Sequence, residues 1–418
     1  MKNSFLTIDD LQVKGKKVLV RVDINSPIDP VTKKITDDER LQLHTGTTIK
    51  ELSEMGARVI VISHQGRPGD SDFISLAEHA EYMSRQLGKP VKFVDEIFSS
   101  HVKEEINKLK DGEVMLLENV RFYAEESIER PADALTKVHL VRSLASYVDC
   151  FVNDAFATIH RSQPSLVGFG ELLPTAAGRV IELELKALNG VLQAGRKPAV
   201  FVLGGAKVDD SIKAIGKLLA NGTADTILTG GLLANALLVA KGYDVGPKTM
   251  EVLKGKGLDK FLPLAKEVLK EYDSQIETPV DVAIMDATRK DIHVSELPNP
   301  YPIADIGRET VGRYCKILEQ AKTVVLNSPL GIYENKEYAY GTMRVLNCVA
   351  SLKAYKVVGG GHIDDVVNSL GLRDKFNHVS SGGRAILYYL SKEKLPVVQM
   401  LERAKDKWGG KAKQLADF

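Results

Sequence analysis

The chain has 418 residues, 44% of them apolar and 27% charged, with a formal net charge of +1. That length exceeds one ordinary core and predicts two domains, while the balanced charge argues against a general nucleic-acid or membrane surface. The N-terminus MKNSFLTIDD carries no apolar signal core and no run approaches membrane-spanning length, so a cytoplasmic protein is expected. Cys150, Cys315 and Cys348 lie far apart without metal-ligand spacing and read as reduced thiols.

The first half alternates apolar, β-branched runs (KVLVRVDI, ARVIVISH, VKFVD, EVMLLEN, SYVDCFVND) with helical patterns. Continuous Val/Ile/Leu runs predict strands buried on both faces, and alternation with helices predicts a parallel, doubly wound sheet. Ligands of such sheets bind at the carboxyl ends of the strands. There VRVDINSP places Arg21, Asp23 and Asn25 on one side of the chain by period two. DDERL adds Arg40, SHQGRP adds His64 and Arg67, ENVRF adds Arg121, and NDAFATIHRSQPS adds His160 and Arg161. Singly, each arginine is more commonly a solvated or salt-bridged surface residue. Together they recur at five strand ends or following loops, and guanidinium forks match carboxylate and phosphate alike. The set suits a small ligand with a phosphate at one end and a carboxylate at the other, with Asp23 and Asn25 placed to bond a hydroxyl between them. The scarcity of nearby aromatics counts against nucleic acid.

At GFGELLPTAAGRVIELELKALNGVL the pattern changes. Pro174 is expected to end irregular chain, and Ile181, Leu185, Leu188 and Leu192 fall on one stripe of a following helix. The domain boundary is placed near Leu173 to Gly178, with the helix as a hinge element.

Of the runs in the second half, PAVFVLGG, TILTGG, TVVLNSPLG, KVVGGGH and HVSSGG carry glycine at their ends, while VDVAIMD ends in Asp286. In PAVFVLGGAKVDDSIKAI, Gly204 and Gly205 let the backbone approach a ligand, the next helix points its N-terminus there, and Lys207 adds a point charge. Alone, a tight turn with a surface lysine reads as well. The logic repeats in VVGGGHIDDVV with Gly359, Gly360, Gly361 and His362, in HVSSGGRAIL with Gly382 and Gly383, and in TILTGGLLANALL. Neither G-x-x-x-x-G-K-[ST] nor a strand-borne G-x-G-x-x-G occurs. Several such turns in one half point to nucleotide phosphates, and Glu334 in LNSPLGIYE is placed to accept from ribose hydroxyls. A nucleotide on one half and a phosphorylated acid on the other imply phosphoryl transfer, which needs positioning and charge stabilisation above all. No catalytic base is evident, which favours a carboxylate over an alcohol as acceptor. A different phosphotransferase and a non-catalytic two-domain binding protein are the competing readings.

The motifs RVDINSP, SHQGRP, ENVRF, FVNDAFATIHR, GFGELLPTAAGRVIELEL, LGGAKV, ADIGRET, GGGH, HVSSGG and LPVVQML run almost end to end, and in this order they resemble the phosphoglycerate kinase family. The resemblance implies two doubly wound parallel-sheet α/β domains of similar size joined by a hinge helix, which closes to bring the two sites together. It assigns 1–175 to 3-phosphoglycerate and 176–399 to the nucleotide, with a tail of about 400–418 packed back on the first domain. Its activity is reversible phosphoryl transfer between ATP and 3-phosphoglycerate, giving ADP and 1,3-bisphosphoglycerate, with Mg²⁺ and in a monomer. By this likeness Asp23, Asn25, Arg40, His64, Arg67, Arg121 and Arg161 hold the acid, and Arg40 also reaches the moving phosphoryl group. Gly204, Gly205, Lys207, Gly307, Glu334 and the segment Gly359, Gly360, Gly361 and His362 line the nucleotide site, and the loop at Gly382 and Gly383 faces the phosphoryl group, with Arg40, Lys207, Gly361 and Gly383 nearest the chemistry. The chain departs from the family pattern at three places: Ser211 stands for a usual lysine, His362 for an aspartate associated with Mg²⁺, and Arg384 interrupts the usual glycine loop. The metal ligand is therefore left open, and Arg384 is a candidate to supply the charge missing at Ser211.

Overall fold

The computed structural model describes residues 4–193, 196–360 and 363–409. The chain divides into two compact units, one running up to Leu185 and resuming at Lys394, the other Lys186–Glu393.

The first unit is built on six strands: β1 (Lys17–Arg21), β2 (Arg58–Ile62), β3 (Val91–Val94), β4 (Val114–Leu117), β5 (Cys150–Asn153) and β6 (Thr175–Ala177). They pair in parallel in the order β3-β4-β2-β1-β5-β6. All residues of β4 and β5 are buried, as are all but the first of β1 and β2, because helices cover both faces of the sheet. The strand order reverses between β1 and β5, and that switch point opens a crevice at their carboxyl ends.

Pro174 ends irregular chain as expected, but a short strand precedes the helix. Pro174 leads directly into β6, whose Thr175 pairs with Phe151 of β5. The helix Arg179–Val191 follows at once, and its first amides are capped by a side chain rather than by water: Val180 and Ile181 donate to Asp154 Oδ1 at 2.8 and 3.2 Å. Ile181, Leu185 and Leu188 of the expected stripe are buried, while Leu192 lies past the helix end and is half-buried. The unit boundary falls inside this helix, after Leu185, rather than at 175/176. The reason is that the pairing of β6 and the Asp154 cap fasten the helix start to the first sheet. The returning helix Pro396–Trp408 is held by Val397 N–H to Ile159 O and by Trp408 Nε1–H to Gly170 O, both 3.2 Å. Residues 410–418 of the expected tail lie outside the described residues.

The second unit repeats the plan with β7 (Ala199–Leu203), β8 (Thr226–Thr229), β9 (Ile276–Glu277), β13 (Thr323–Asn327), β14 (Tyr355–Gly359) and β15 (His378–Ser380), parallel in the order β15-β14-β13-β7-β8-β9. The run VDVAIMD departs from the expected parallel sheet. It forms β10 (Asp281–Met285), the centre of an antiparallel three-stranded sheet with β11 (Arg289–His293) and β12 (Ile303–Ile306). Only 286–288 join β10 to β11, far too little chain for the crossover that a parallel neighbour requires.

The cysteines are also corrected. Cys315 and Cys348 form a disulfide between the helices Arg308–Leu318 and Tyr340–Ser351, with Cα atoms 5.8 Å apart. Distance in sequence misled here, since the two helices are neighbours in the fold. Cys150 alone is free, buried in β5, and burial pushes its thiol up to about 12.

Candidate functional site

In the first unit the strand-end residues converge on the crevice. β1 ends in Arg21, almost fully buried, whose Nε donates to Ser165 Oγ at 2.9 Å while Nη2 lies 3.0 Å from His64 Nδ1. Asp23, two residues on, takes Arg40 Nη1 at 2.9 Å. Asn25 Oδ1 accepts the Gly66 amide at 2.8 Å, and Arg121 donates to the Gly66 carbonyl, so these two side chains fix the loop that carries Arg67.

The electrostatics show how closely the cations gather. Burial lowers the Arg121 guanidinium to about 10, and Arg161, Arg21 and Arg67 push it in the same direction. Burial likewise holds His64 well below its ordinary range despite Asp23, with Arg21, Arg121 and Arg161 adding to the effect, so its imidazole is neutral near pH 7. Burial works to raise the Asp23 carboxyl, but Arg40, His64 and Arg21 outweigh it and keep the group far below the usual carboxylate range. Asp23, Asn25, Arg40, His64, Arg67, Arg121 and Arg161 thus surround one place. His160 is half-buried in the same loop as Arg161.

Sequence reasoning missed Glu126. It is 1% exposed and accepts from Ser165 Oγ at 2.6 Å and Ser165 N–H at 3.0 Å, so it reaches Arg21 through one hydroxyl. Burial raises its carboxyl, and Arg21 and Ser165 oppose the rise. Nothing in YAEESIER marks this glutamate as buried, because a surface loop rich in acids reads the same way.

The second unit holds a cavity of about 650 Å³, within the range of small-molecule sites. Gly205, Lys207, Gly231 and Ser328 through Glu334 line it, with apolar walls that include Leu232, Val282, Ile303 and Ala304. At Gly205 and Gly231 backbones meet closely along the lining, and Gly204 stands just behind it. Gly204 N–H donates to Asn327 O at 3.0 Å, Gly205 N–H to Pro329 O at 2.8 Å and Gly231 N–H to Leu330 O at 2.7 Å. A Cβ on Gly204 would stand 2.1 Å from the Pro329 oxygen, and Gly205 has φ of 80°. Only glycine permits this approach. Lys207 is exposed at the N-cap of the helix Val208–Ala220.

Not every expected residue joins that cavity. Gly307 is absent from its lining; it sits at the start of the helix Arg308–Leu318, whose amides at Glu309 and Thr310 are capped by Asp281. Gly359, Gly360 and Gly383 also lie off the lining and gather at the ends of β13, β14 and β15, where Asn327 Nδ2 donates to Gly383 O at 3.0 Å. Gly361 and His362 lie outside the described residues. Arg384 pairs with Asp210 at 2.5 Å, and Tyr388 donates to the other oxygen of that carboxylate at 2.6 Å, so the arginine stands beside buried Ser211 with its charge already engaged. A further residue without an assigned role, Asp305, supports the cavity wall. It accepts from Arg289 Nη1 and Gly341 N–H, both at 2.7 Å, and burial pushes its carboxyl up to about 6 against the pull of Arg289.

No group of three or more His, Cys, Asp or Glu side chains able to hold a metal occurs among the described residues. No helix among them is long and apolar enough to cross a membrane.

The family model for phosphoglycerate kinase matches residues 8–393. Phosphoglycerate kinase from Methanothermobacter thermautotrophicus is 47% identical over 402 residues, 96% of this chain and 97% of that protein. The enzyme from Methanothermus fervidus is 46% identical over 96% of this chain and 98% of its own length. Among solved structures, phosphoglycerate kinase from Pyrococcus horikoshii OT3 superposes with a TM-score of 0.90 at 40% identity, covering 96% of this chain and 100% of that one. The chain belongs to the phosphoglycerate kinase family.

Proposed function

We propose that the protein transfers a phosphoryl group reversibly between ATP and the carboxylate of 3-phosphoglycerate. The observation that carries the substrate assignment is the guanidinium cluster of the first unit, gathered about a neutral His64 and an ionised Asp23. Phosphate and carboxylate ends of a small acid are both matched by arginine forks, and Asp23 with Asn25 serves its hydroxyl. The cavity of the second unit takes the nucleotide: its backbone turns and Lys207 serve the phosphates, and Glu334 serves the ribose.

In the transfer, an oxygen of the substrate carboxylate forms a bond to the γ-phosphorus as the bond to the β-phosphate oxygen breaks, and ADP leaves. The carboxylate is ionised at neutral pH, so the step requires no base. Arg40 and Lys207 neutralise charge that develops on the phosphoryl oxygens. Mg²⁺ belongs to the proposal as a partner of the nucleotide, where it would offset phosphate charge; no protein ligand is assigned to it. Direct transfer requires the donor and acceptor to meet, so closure about the helix Arg179–Val191 is part of the same reading, as is action as a monomer in the cytoplasm.

The test is ATP-dependent phosphorylation of 3-phosphoglycerate, coupled through the acyl phosphate to NADH oxidation by glyceraldehyde-3-phosphate dehydrogenase. Mg²⁺-dependent turnover with 3-phosphoglycerate and none with 2-phosphoglycerate is expected. Folded protein that binds ATP without turnover would favour a sensor of phosphorylated acids instead.

A further inference from the structure

The helix Gly231–Ala240, GLLANALLVA, is apolar on all sides save at one residue, Asn235. That side chain is 3% exposed and lines the cavity of the second unit. Its carboxamide makes no hydrogen bond with another described residue, and it is not among the fully enclosed polar groups left without a partner, so it opens on the cavity. The ordinary fate of a mid-helix asparagine is visible elsewhere in the same unit: Asn347 donates back to the Met343 carbonyl at 2.8 Å. Asn235 makes no such bond, and an amide this little exposed gains from a partner that enters the cavity. Its outlet is the cavity, so the helix keeps a polar group whose bonds a ligand completes.

The surroundings define that ligand's part. Leu232, Val282, Ile303 and Ala304 supply apolar walls suited to the faces of a flat ring, while Gly205 and Lys207 belong to the anionic end. A carboxamide offers a donor beside an acceptor, and adenine offers the complement in its exocyclic amine and adjacent ring nitrogen. We infer that Asn235 reads the edge of the nucleotide base by this two-point pairing and is a specificity-determining residue for adenine. The inference rests on the reading of this cavity as the nucleotide site.

Calorimetric titration of the full chain separates the two. The probes are ATP and purine riboside triphosphate, which keeps the ring, ribose and phosphates but lacks the exocyclic amine. Wild type is expected to bind ATP about tenfold more tightly than the analogue, the scale of one neutral hydrogen bond in a buried site. Asn235→Leu, of similar volume, is expected to bind both ligands equally, and more weakly than wild type binds the analogue, because the bond to the ring nitrogen is lost as well. Unchanged 3-phosphoglycerate binding and an unshifted thermal transition verify that the variant is folded. Equal affinity of wild type for the two ligands overturns the inference without any variant. So does an Asn235→Leu protein that still prefers ATP tenfold, because another group would then read the amine. Wild type that binds neither triphosphate refutes the nucleotide reading of the cavity, and the inference falls with it.

Discussion

Reduction of the Cys315–Cys348 bond is a perturbation whose size follows from topology. The bond closes a loop of 33 residues that contains β13 and the cavity segment from Ser328 to Glu334. Constraining a loop of that length in the unfolded chain stabilises the folded one by about 4 kcal/mol at 25 °C. For a unit of roughly 200 residues, each kcal/mol displaces the thermal midpoint by about 2–4 °C, so a fall of roughly 8–15 °C is expected. Scanning calorimetry of the full chain with and without a phosphine reductant reads it, with alkylation and mass measurement verifying that both thiols were released. The transition of the second unit should fall and that of the first should stay, because its Cys150 is buried, already reduced and hard to ionise. Cys315→Ser with Cys348→Ser should reproduce the reduced protein. Nucleotide affinity at 25 °C should not change, since backbone bonds and Asp305 hold the cavity segment independently of the disulfide. Full reduction with an unmoved transition would refute the reasoning.

Arg40→Ala is expected to lower kcat more than it raises KM for 3-phosphoglycerate, because its charge matters most as the phosphoryl group moves; a raised KM with normal kcat would remove that role. The same variant should unfold at higher pH on acid titration. Asp23 is held far below the ordinary carboxylate range, so its pairing contributes stability above that range and loses it as pH falls through the folded value, and Arg40 is the foremost partner that lowers it. Lys207→Ala should reduce turnover on the order of 10²-fold with the fold intact, read in the coupled assay; near-normal rates would make Lys207 an ordinary residue of the turn. Gly204→Ala should destabilise the second unit by about 1–3 kcal/mol through overpacking, since its methyl would meet the Pro329 carbonyl; ATP affinity should fall with it, and a neutral effect in both titrations would contradict the close backbone contact.

Much of the first site was legible because parallel strands carry their own address. Arg21, Asp23, His64 and Arg121 follow β-branched runs whose carboxyl ends must open on one edge of the sheet, so residues distant in sequence could be grouped without knowing the strand order. What supports them was not legible. Glu126 and Ser165 act through burial, which short polar loops do not disclose. The hairpin of β10 and β11 was missed for a different reason: VDVAIMD has the composition of a parallel strand, and only the missing helix after it speaks against one. Gly307 was given to the nucleotide from its family motif, although its place is accounted for by the Asp281 carboxylate, which leaves no room for a Cβ. Asn235 could have been found in sequence, as the one polar side chain within an apolar decapeptide.

The two sites handle negative charge by different physical means. In the first unit, Arg21, Arg121, Arg161 and Arg67 raise the local potential enough to depress one another. At separations of several ångströms such cations repel by some kcal/mol each, even in the polarisable environment of a protein. Two features keep the cluster tolerable: Asp23 is buried among the guanidinia as an ionised countercharge, and His64 is neutral and adds no further cation. A remaining positive excess then awaits an anion that brings no cation of its own. The second unit spends little net charge. Along the cavity Lys207 and Lys256 stand with Glu334, and the charge of Asp305 is already met by Arg289. Such a lining suits a ligand whose charge is largely neutralised before it arrives and which has to be oriented. The proposed assignment, the phosphorylated acid on the first unit and the nucleotide on the second, accords with that contrast, whereas the reverse would set a strongly anionic acid against a cavity of little net charge.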